Sequence, residues 1–259
     1  IIQVAAISIL VSAPLRAGEP DLARAFAGRD GCFELYDLKA NKLVVRASSA
    51  RCAQRTSPCS TFKVPLALMA FDAGALKDET SQRTWDGTTF SREAWNKDQT
   101  AASWMRDSVV WFSQRLTTEM GLDKVKAYLA GFDYGNGDMS GGLTKAWLES
   151  SLLISPDEQL RFWTRFWREQ LPVSKHAYEM TKKITLVETS PRGWTLHGKT
   201  GSGGRSVGGW FVGHVAKGER AYVFVTRYRD RAGTSKDGRP EGWIARDVAK
   251  RLLEKKGVF

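Results

Sequence analysis

The sequence predicts an α/β chain of the α+β type: a central antiparallel sheet of about five or more strands drawn from both termini, flanked by helices, with an inserted all-helical lobe. Three observations carry this expectation. Alternating apolar and polar residues near the N-terminus read as a strand hairpin, three aromatic-rich apolar runs near the C-terminus read as further strands, and the stretch between them repeats apolar residues at helical spacing. With 259 residues, 42% of them hydrophobic, the chain is long enough to bury one substantial core, or a core with a smaller lobe packed on it.

The elements follow in order. Cys32-Phe33-Glu34-Leu35-Tyr36-Asp37 alternates, residues 38–42 turn, and Leu43-Val44-Val45-Arg46 returns as the partner strand. Residues 61–76 carry Val64, Leu66, Leu68, Met69 and Phe71 so densely that the helix they form must be buried on most sides. Further helices are expected over 103–112, 117–130, 156–169 and 175–186. Strands follow over 194–197, 208–215 and 221–228, separated by glycine-containing turns, and a helix over 242–256 closes the chain. No repeat or linker divides the sequence, so residues 18–259 read as one catalytic unit with a helical subdomain over about 77–190.

Residues 1–17 are largely apolar, lack acids and end in small residues, which fits the remnant of a signal peptide. Arg16 interrupts the apolar run before the roughly 20 residues that a membrane span requires. The mature protein is therefore expected in the periplasm, without a membrane span. The net charge of +11 raises the possibility of a nucleic-acid partner, but the cations are scattered among acids, as in Asp230-Arg231 and Arg246-Asp247. No nucleic-acid motif accompanies them, so none is expected to bind. Of the three cysteines, Cys52 and Cys59 are nearest in sequence and form the candidate disulfide, although spacing alone does not decide whether they meet. The three histidines, His176, His197 and His214, have no Asp or Cys at ligand spacing, so no metal is expected.

Chemistry concentrates in two short segments. In Pro58-Cys59-Ser60-Thr61-Phe62-Lys63 the serine and the lysine three residues later share a helix face. A desolvated lysine can take the proton of a serine nucleophile, and a helix N-terminus offers N–H groups to an oxyanion. Alone, this spacing equally describes a capped helix with a surface lysine. Lys199-Thr200-Gly201-Ser202-Gly203-Gly204 adds a lysine, two hydroxyls and glycines after an apolar run, which suits an anionic substrate group close to the backbone but also suits a plain hairpin turn.

Ser-x-x-Lys followed by Lys-Thr-Gly marks penicillin-binding proteins and class A β-lactamases. Between them this chain has Ser108-Val109-Val110, not Ser-Asp-Asn, then Tyr134-Gly135-Asn136, Trp147-Leu148-Glu149-Ser150-Ser151-Leu152 and Gly208-Gly209-Trp210-Phe211-Val212-Gly213. Together these resemble the class D serine β-lactamases, the oxacillinases, from about residue 31 to the C-terminus.

The resemblance implies a serine nucleophile at Ser60 and, at Lys63, a side chain carboxylated by carbon dioxide (N6-carboxylysine), so that no dissociable cofactor is needed. Trp147 and Val109 would stabilise the carbamate. Ser108 would relay a proton to the leaving nitrogen with electrostatic help from Lys199. Thr200, Gly201, Ser202 and Tyr134 would bind a small-molecule β-lactam, and the backbone N–H groups of Ser60 and Ser202 would form the oxyanion hole. Many family members place an arginine near the start of the last helix for the substrate carboxylate. Here Ala245 falls in that slot, leaving the adjacent Arg246 as the candidate and Arg239 upstream. The rival reading is a penicillin-sensing or penicillin-binding domain that is acylated without efficient turnover. Oligomeric state has no sequence signal.

Overall fold

The computed structural model describes residue 26 and residues 29–47, 49–230 and 238–259. The expected signal-peptide remnant at 1–17 lies outside them. Strands β1 (Asp30–Asp37) and β2 (Lys42–Ala47) form the N-terminal hairpin, and β5 (Leu186–Thr189), β6 (Thr195–Ser202), β7 (Gly209–Lys217) and β8 (Arg220–Arg229) come from the C-terminal third. They join in one antiparallel sheet of order β2-β1-β8-β7-β6-β5, so the two ends of the chain meet where β1 pairs with β8.

The sheet is covered on both faces, which explains why its central strands read as nearly continuous apolar runs. Trp210, Val212, Val223 and Val225 face one core with the helices of the middle region. Their neighbours Phe211, Val215, Tyr222 and Phe224 face a second core with Phe33, Leu35 and the closing helix α8 (Glu241–Lys255). The period of two in a strand sends successive side chains to opposite layers.

The middle region holds α3 (Ala101–Asp107), α4 (Val110–Met120), α5 (Leu122–Phe132), α6 (Pro156–Trp167) and α7 (Lys175–Thr185), together with a two-stranded ribbon of β3 (Gln82–Arg83) and β4 (Gln99–Thr100). Between the first hairpin and this region lie the one-turn α1 (Ser49–Cys52) and α2 (Lys63–Asp72). Nine of the ten residues of α2 are buried, Lys63 among them, so α2 is a central pillar with one charge-bearing side chain buried in it. Ser155 and Glu158 form a capping box at the start of α6, with Pro156 at its first position.

Three expectations are corrected. The predicted helix 103–112 is two helices: Ser108 takes a left-handed conformation (φ 60°) that ends α3, and Val109 begins the approach to α4. The helix expected over 175–186 stops at Thr185, where Leu186 starts a sixth strand. Cys52 is bonded to Cys32, not to Cys59, because α1 folds back against β1 and brings Cys32 and Cys52 to a Cα separation of 5.2 Å; Cys59 is a buried free thiol. Among the described residues, no helix is long and apolar enough to cross a membrane.

Candidate active site

Ser60 sits in a 3-10 turn, Cys59–Phe62, that runs directly into α2. The entry to this turn is tightly tied. The Ser57 hydroxyl donates to the Trp147 carbonyl (2.7 Å) and accepts from the Glu149 N–H (2.9 Å), while the Trp210 indole donates to the Ser57 carbonyl (3.0 Å). Thr56 pairs with Ile154, and Arg55 makes an ion pair with Glu158 of α6. Cys59 takes a left-handed conformation (φ 48°), a strained turn that the surrounding bonds over-determine and that sets Ser60 at the cavity surface.

One turn on, the Lys63 Nζ lies 3.5 Å from the Ser60 hydroxyl oxygen, at the outer edge of a hydrogen bond. Lys63 is only 1% exposed. Burial holds its ammonium well below the usual lysine range, and the charges of Lys199 and Arg92 push in the same direction, so the neutral amine is more favoured than it would be in an exposed lysine. Phe62, the residue before it, is buried in one apolar cluster with Val109 and Trp147, and the Trp147 ring stacks on Phe62 with centroids 4.9 Å apart. Cys59, beside Ser60 in sequence, is no competing nucleophile, because burial pushes its thiol up to about 11.

The helix break at Ser108 delivers the second hydroxyl. The Lys199 Nζ donates to the Ser108 oxygen and to the Thr200 carbonyl, both at 3.0 Å. Burial, then the Arg92 charge, lowers the Lys199 ammonium to about 7. Ser60, Ser108, Thr200, Ser202 and Leu148 line one cavity of about 620 Å³. Gly201 is where β6 crosses the nucleophile's turn: a Cβ there would stand 2.9 Å from the Pro58 carbonyl oxygen and 3.2 Å from the Thr61 methyl, so any side chain would push β6 away from Ser60.

Of the expected substrate contacts, Thr200 and Ser202 line the cavity, whereas Gly201, Tyr134 and Arg246 do not. Tyr134 is buried, packed edge-on against Phe62 and Phe162, with its hydroxyl accepting from Gln159; it braces the Phe62 side of the site from behind. Arg246 lines an adjoining cavity with Lys183 and Lys199, its guanidinium over Trp243. Helix phase is the reason: the first turn of α8 packs on β6 through Gly242, whose N–H donates to the Ser202 hydroxyl (3.0 Å), and through buried Ala245, which turns Arg246 aside. Conversely, Arg92, Trp95, Arg106 and Asp107 line the Ser60 cavity without having been singled out in the sequence. Arg92 and Trp95 belong to the irregular segment and short 3-10 turn before β4, and Arg106 and Asp107 end α3; none of them falls in a recognisable spacing.

The histidines lie elsewhere. His176 bonds the Lys77 carbonyl, His197 the Lys182 carbonyl, and His214 stacks on Trp167.

Residues 31–250 match the penicillin binding protein transpeptidase domain. Over 221 residues the chain is 42% identical to β-lactamase OXA-1 of Escherichia coli, covering 81% of this chain and 80% of that one. It is 39% identical over 235 residues to the probable β-lactamase YbxI of Bacillus subtilis strain 168, covering 90% and 84%. The structure is similar to that of the class D β-lactamase BAT-2, with a TM-score of 0.84 at 36% identity over 92% of this chain and 96% of that chain. It is similar also to a class D β-lactamase from Bacillus subtilis, with a TM-score of 0.85 at 35% identity over 95% and 99%.

Proposed function

Because the chain belongs to the class D β-lactamases, serine enzymes that hydrolyse β-lactams, we propose that Ser60 is the acylated nucleophile and that Lys63 works as its N6-carboxylated form. The observation that carries this reading is the buried amine of Lys63, whose ammonium form burial disfavours, beside the Ser60 hydroxyl. Only an unprotonated amine adds carbon dioxide, and the apolar wall of Phe62, Val109 and Trp147 favours that state over the ammonium. Once in place, the carboxylate supplies an oxygen base, both for the Ser60 proton and for the water that later attacks the ester.

The chain's own groups do the rest. The Ser60 oxygen attacks the lactam carbonyl carbon, and the Ser60 and Ser202 backbone N–H groups receive the developing oxyanion. The carbon–nitrogen bond then breaks, and Ser108, held by Lys199, passes a proton to the departing nitrogen. Thr200 and Ser202 on the β6 wall take the ring carboxylate. Water attack on the ester then frees Ser60 and releases the penicilloic acid. No metal enters this scheme. Residues 18–259 act as one catalytic unit, with the helical lobe over about 77–190 supplying Ser108 and Trp147. Export to the periplasm is supported by the Cys32–Cys52 disulfide, since such bonds persist in oxidising compartments.

Steady-state turnover of a chromogenic cephalosporin tests the activity: many turnovers per enzyme are expected, and one equivalent of acylation without further product would mark a sensing or binding domain instead. A second measurement tests the lysine. Protonation of Lys63 removes the form that adds carbon dioxide, so activity should fall on exposure to low pH in carbon dioxide-free buffer and return when bicarbonate is added at neutral pH. Carbon-13 bicarbonate should give a bound carbamate resonance in the wild type and none in Lys63→Ala; recovery without bicarbonate would count against the modification.

A further inference from the structure

The cavity around Ser60 contains a cation that the catalytic scheme leaves unused. Arg106, which lines it, is committed to Asp107 through two hydrogen bonds of 2.9 and 2.7 Å. Arg92 is not: among the described residues no acidic side chain pairs with it, and its guanidinium lies 5.3 Å above the Trp95 ring. That ring is a fixed platform. The Trp95 indole donates to the Asp107 carbonyl (3.0 Å), its own carbonyl accepts from the Trp111 indole (2.9 Å), and Phe90 meets it edge-on. A guanidinium resting on an aromatic face keeps its N–H edge open, the geometry that grips a carboxylate with two parallel bonds.

Neighbouring charge does not cancel it. Glu93 also lines the cavity, but it makes no ion pair with Arg92. It is the Arg92 charge, not that of Glu93, that reaches Lys63 and Lys199 and disfavours their protonated forms. Arg92 and Trp95 belong with Ser108 to the wall contributed by the helical region, whereas Thr200 and Ser202 belong to β6. A β-lactam anchored by its ring carboxylate on β6 therefore has a second anion-seeking group available on the other wall.

We propose that Arg92, stacked on Trp95, is a specificity-determining residue that recognises a carboxylate on the acyl side chain of the β-lactam, favouring dianionic over monoanionic substrates. This rests on the hydrolase reading given above. The test compares kcat/KM for benzylpenicillin and for its α-carboxy derivative, which differ only in that second carboxylate. In Arg92→Gln the ratio of dianion to monoanion should fall about fivefold, the effect expected of one well-placed exposed ion pair. It should fall further in Arg92→Glu and be partly restored in Arg92→Lys. Lys124→Gln, which removes the same charge from the exposed surface of α5, should leave the ratio unchanged. The wild-type ratio should also decline with added salt.

An unchanged ratio in Arg92→Gln and Arg92→Glu would overturn the proposal. So would an equal loss for both substrates, which would assign Arg92 to the ring carboxylate they share. Should the wild type fail to turn over benzylpenicillin at all, the hydrolase reading fails separately, and the ratio of acylation rates followed by mass spectrometry still decides the role of Arg92.

Discussion

Lys63→Ala is expected to lower kcat/KM for every β-lactam by about 10³–10⁴, the scale of a lost general base, and to slow both formation and hydrolysis of the acyl-enzyme. Among the described residues it is Lys63 that reaches the Ser60 hydroxyl, and the Lys199 amine is engaged with Ser108 and Thr200. Rapid-quench mass spectrometry separates the two steps, and a variant that still deacylated at the wild-type rate would remove Lys63 from the second one. Lys63→Met carries the complementary stability prediction. In the folded chain the lysine ammonium is held far below its ordinary value, whereas the unfolded chain binds that proton up to about pH 10.5. The unfolded state therefore binds more protons between the two values, and wild-type stability declines as pH falls from about 10.5 toward the depressed folded pKa. Methionine fills the space without that penalty. In bicarbonate-free buffer Lys63→Met should melt above the wild type at neutral pH, with the difference shrinking toward zero above pH 10.5. A pH-independent difference would mean that burial of the amine is not its cause.

Trp147→Ala is the second large effect. The indole is 1% exposed and stacked on Phe62, the residue before Lys63, so its removal opens a cavity and should cost about 3–5 kcal/mol in chemical denaturation. Activity should fall with it, because Phe62 loses the surface that holds it in place. Trp147→Phe separates packing from hydrogen bonding. It keeps an aromatic ring against Phe62 but has no indole N–H to offer an anion on Lys63, so stability should largely survive while activity comes to require added bicarbonate. If Trp147→Phe is as unstable as Trp147→Ala, the packing account is wrong. If it is stable and fully active without bicarbonate, the N–H has no part in holding the carbamate.

The legible parts of this molecule were those governed by local periodicity or by a fixed motif. The hairpin at 32–46, the three C-terminal strands and the dense helix after Ser60 all announced themselves through burial patterns. Ser60, Lys63, Ser108 and Lys199 stand in recognisable spacings, and the structure pairs Lys63 with Ser60 at 3.5 Å and Lys199 with Ser108 at 3.0 Å. What escaped depends on contacts across the chain. Strand β5 is only four residues long, with Leu186 and Val187 exposed, so it has no alternating apolar face to betray it. The Cys32–Cys52 bond joins residues 20 apart, and chain distance favoured the wrong pair. Tyr134 belonged to a motif but is turned inward, and Arg246 lost its place to one residue of helix phase. Arg92 has no signature at all, because a loop that folds over a cavity leaves no period to read.

The double-sided burial of the central sheet also bears on how this enzyme can change under drug selection. Lys199 and Gly201 lie on a strand whose neighbour β7 is packed on both faces, and Ser60 is pinned from Ser57, Trp147 and Trp210, so substitutions in these walls disturb a core before they alter a preference. The rim is different: Arg92, Glu93 and Trp243 are exposed where they border the cavity. Adaptive variation should therefore accumulate there, where a new side chain can meet a new drug without first having to be accommodated by the fold.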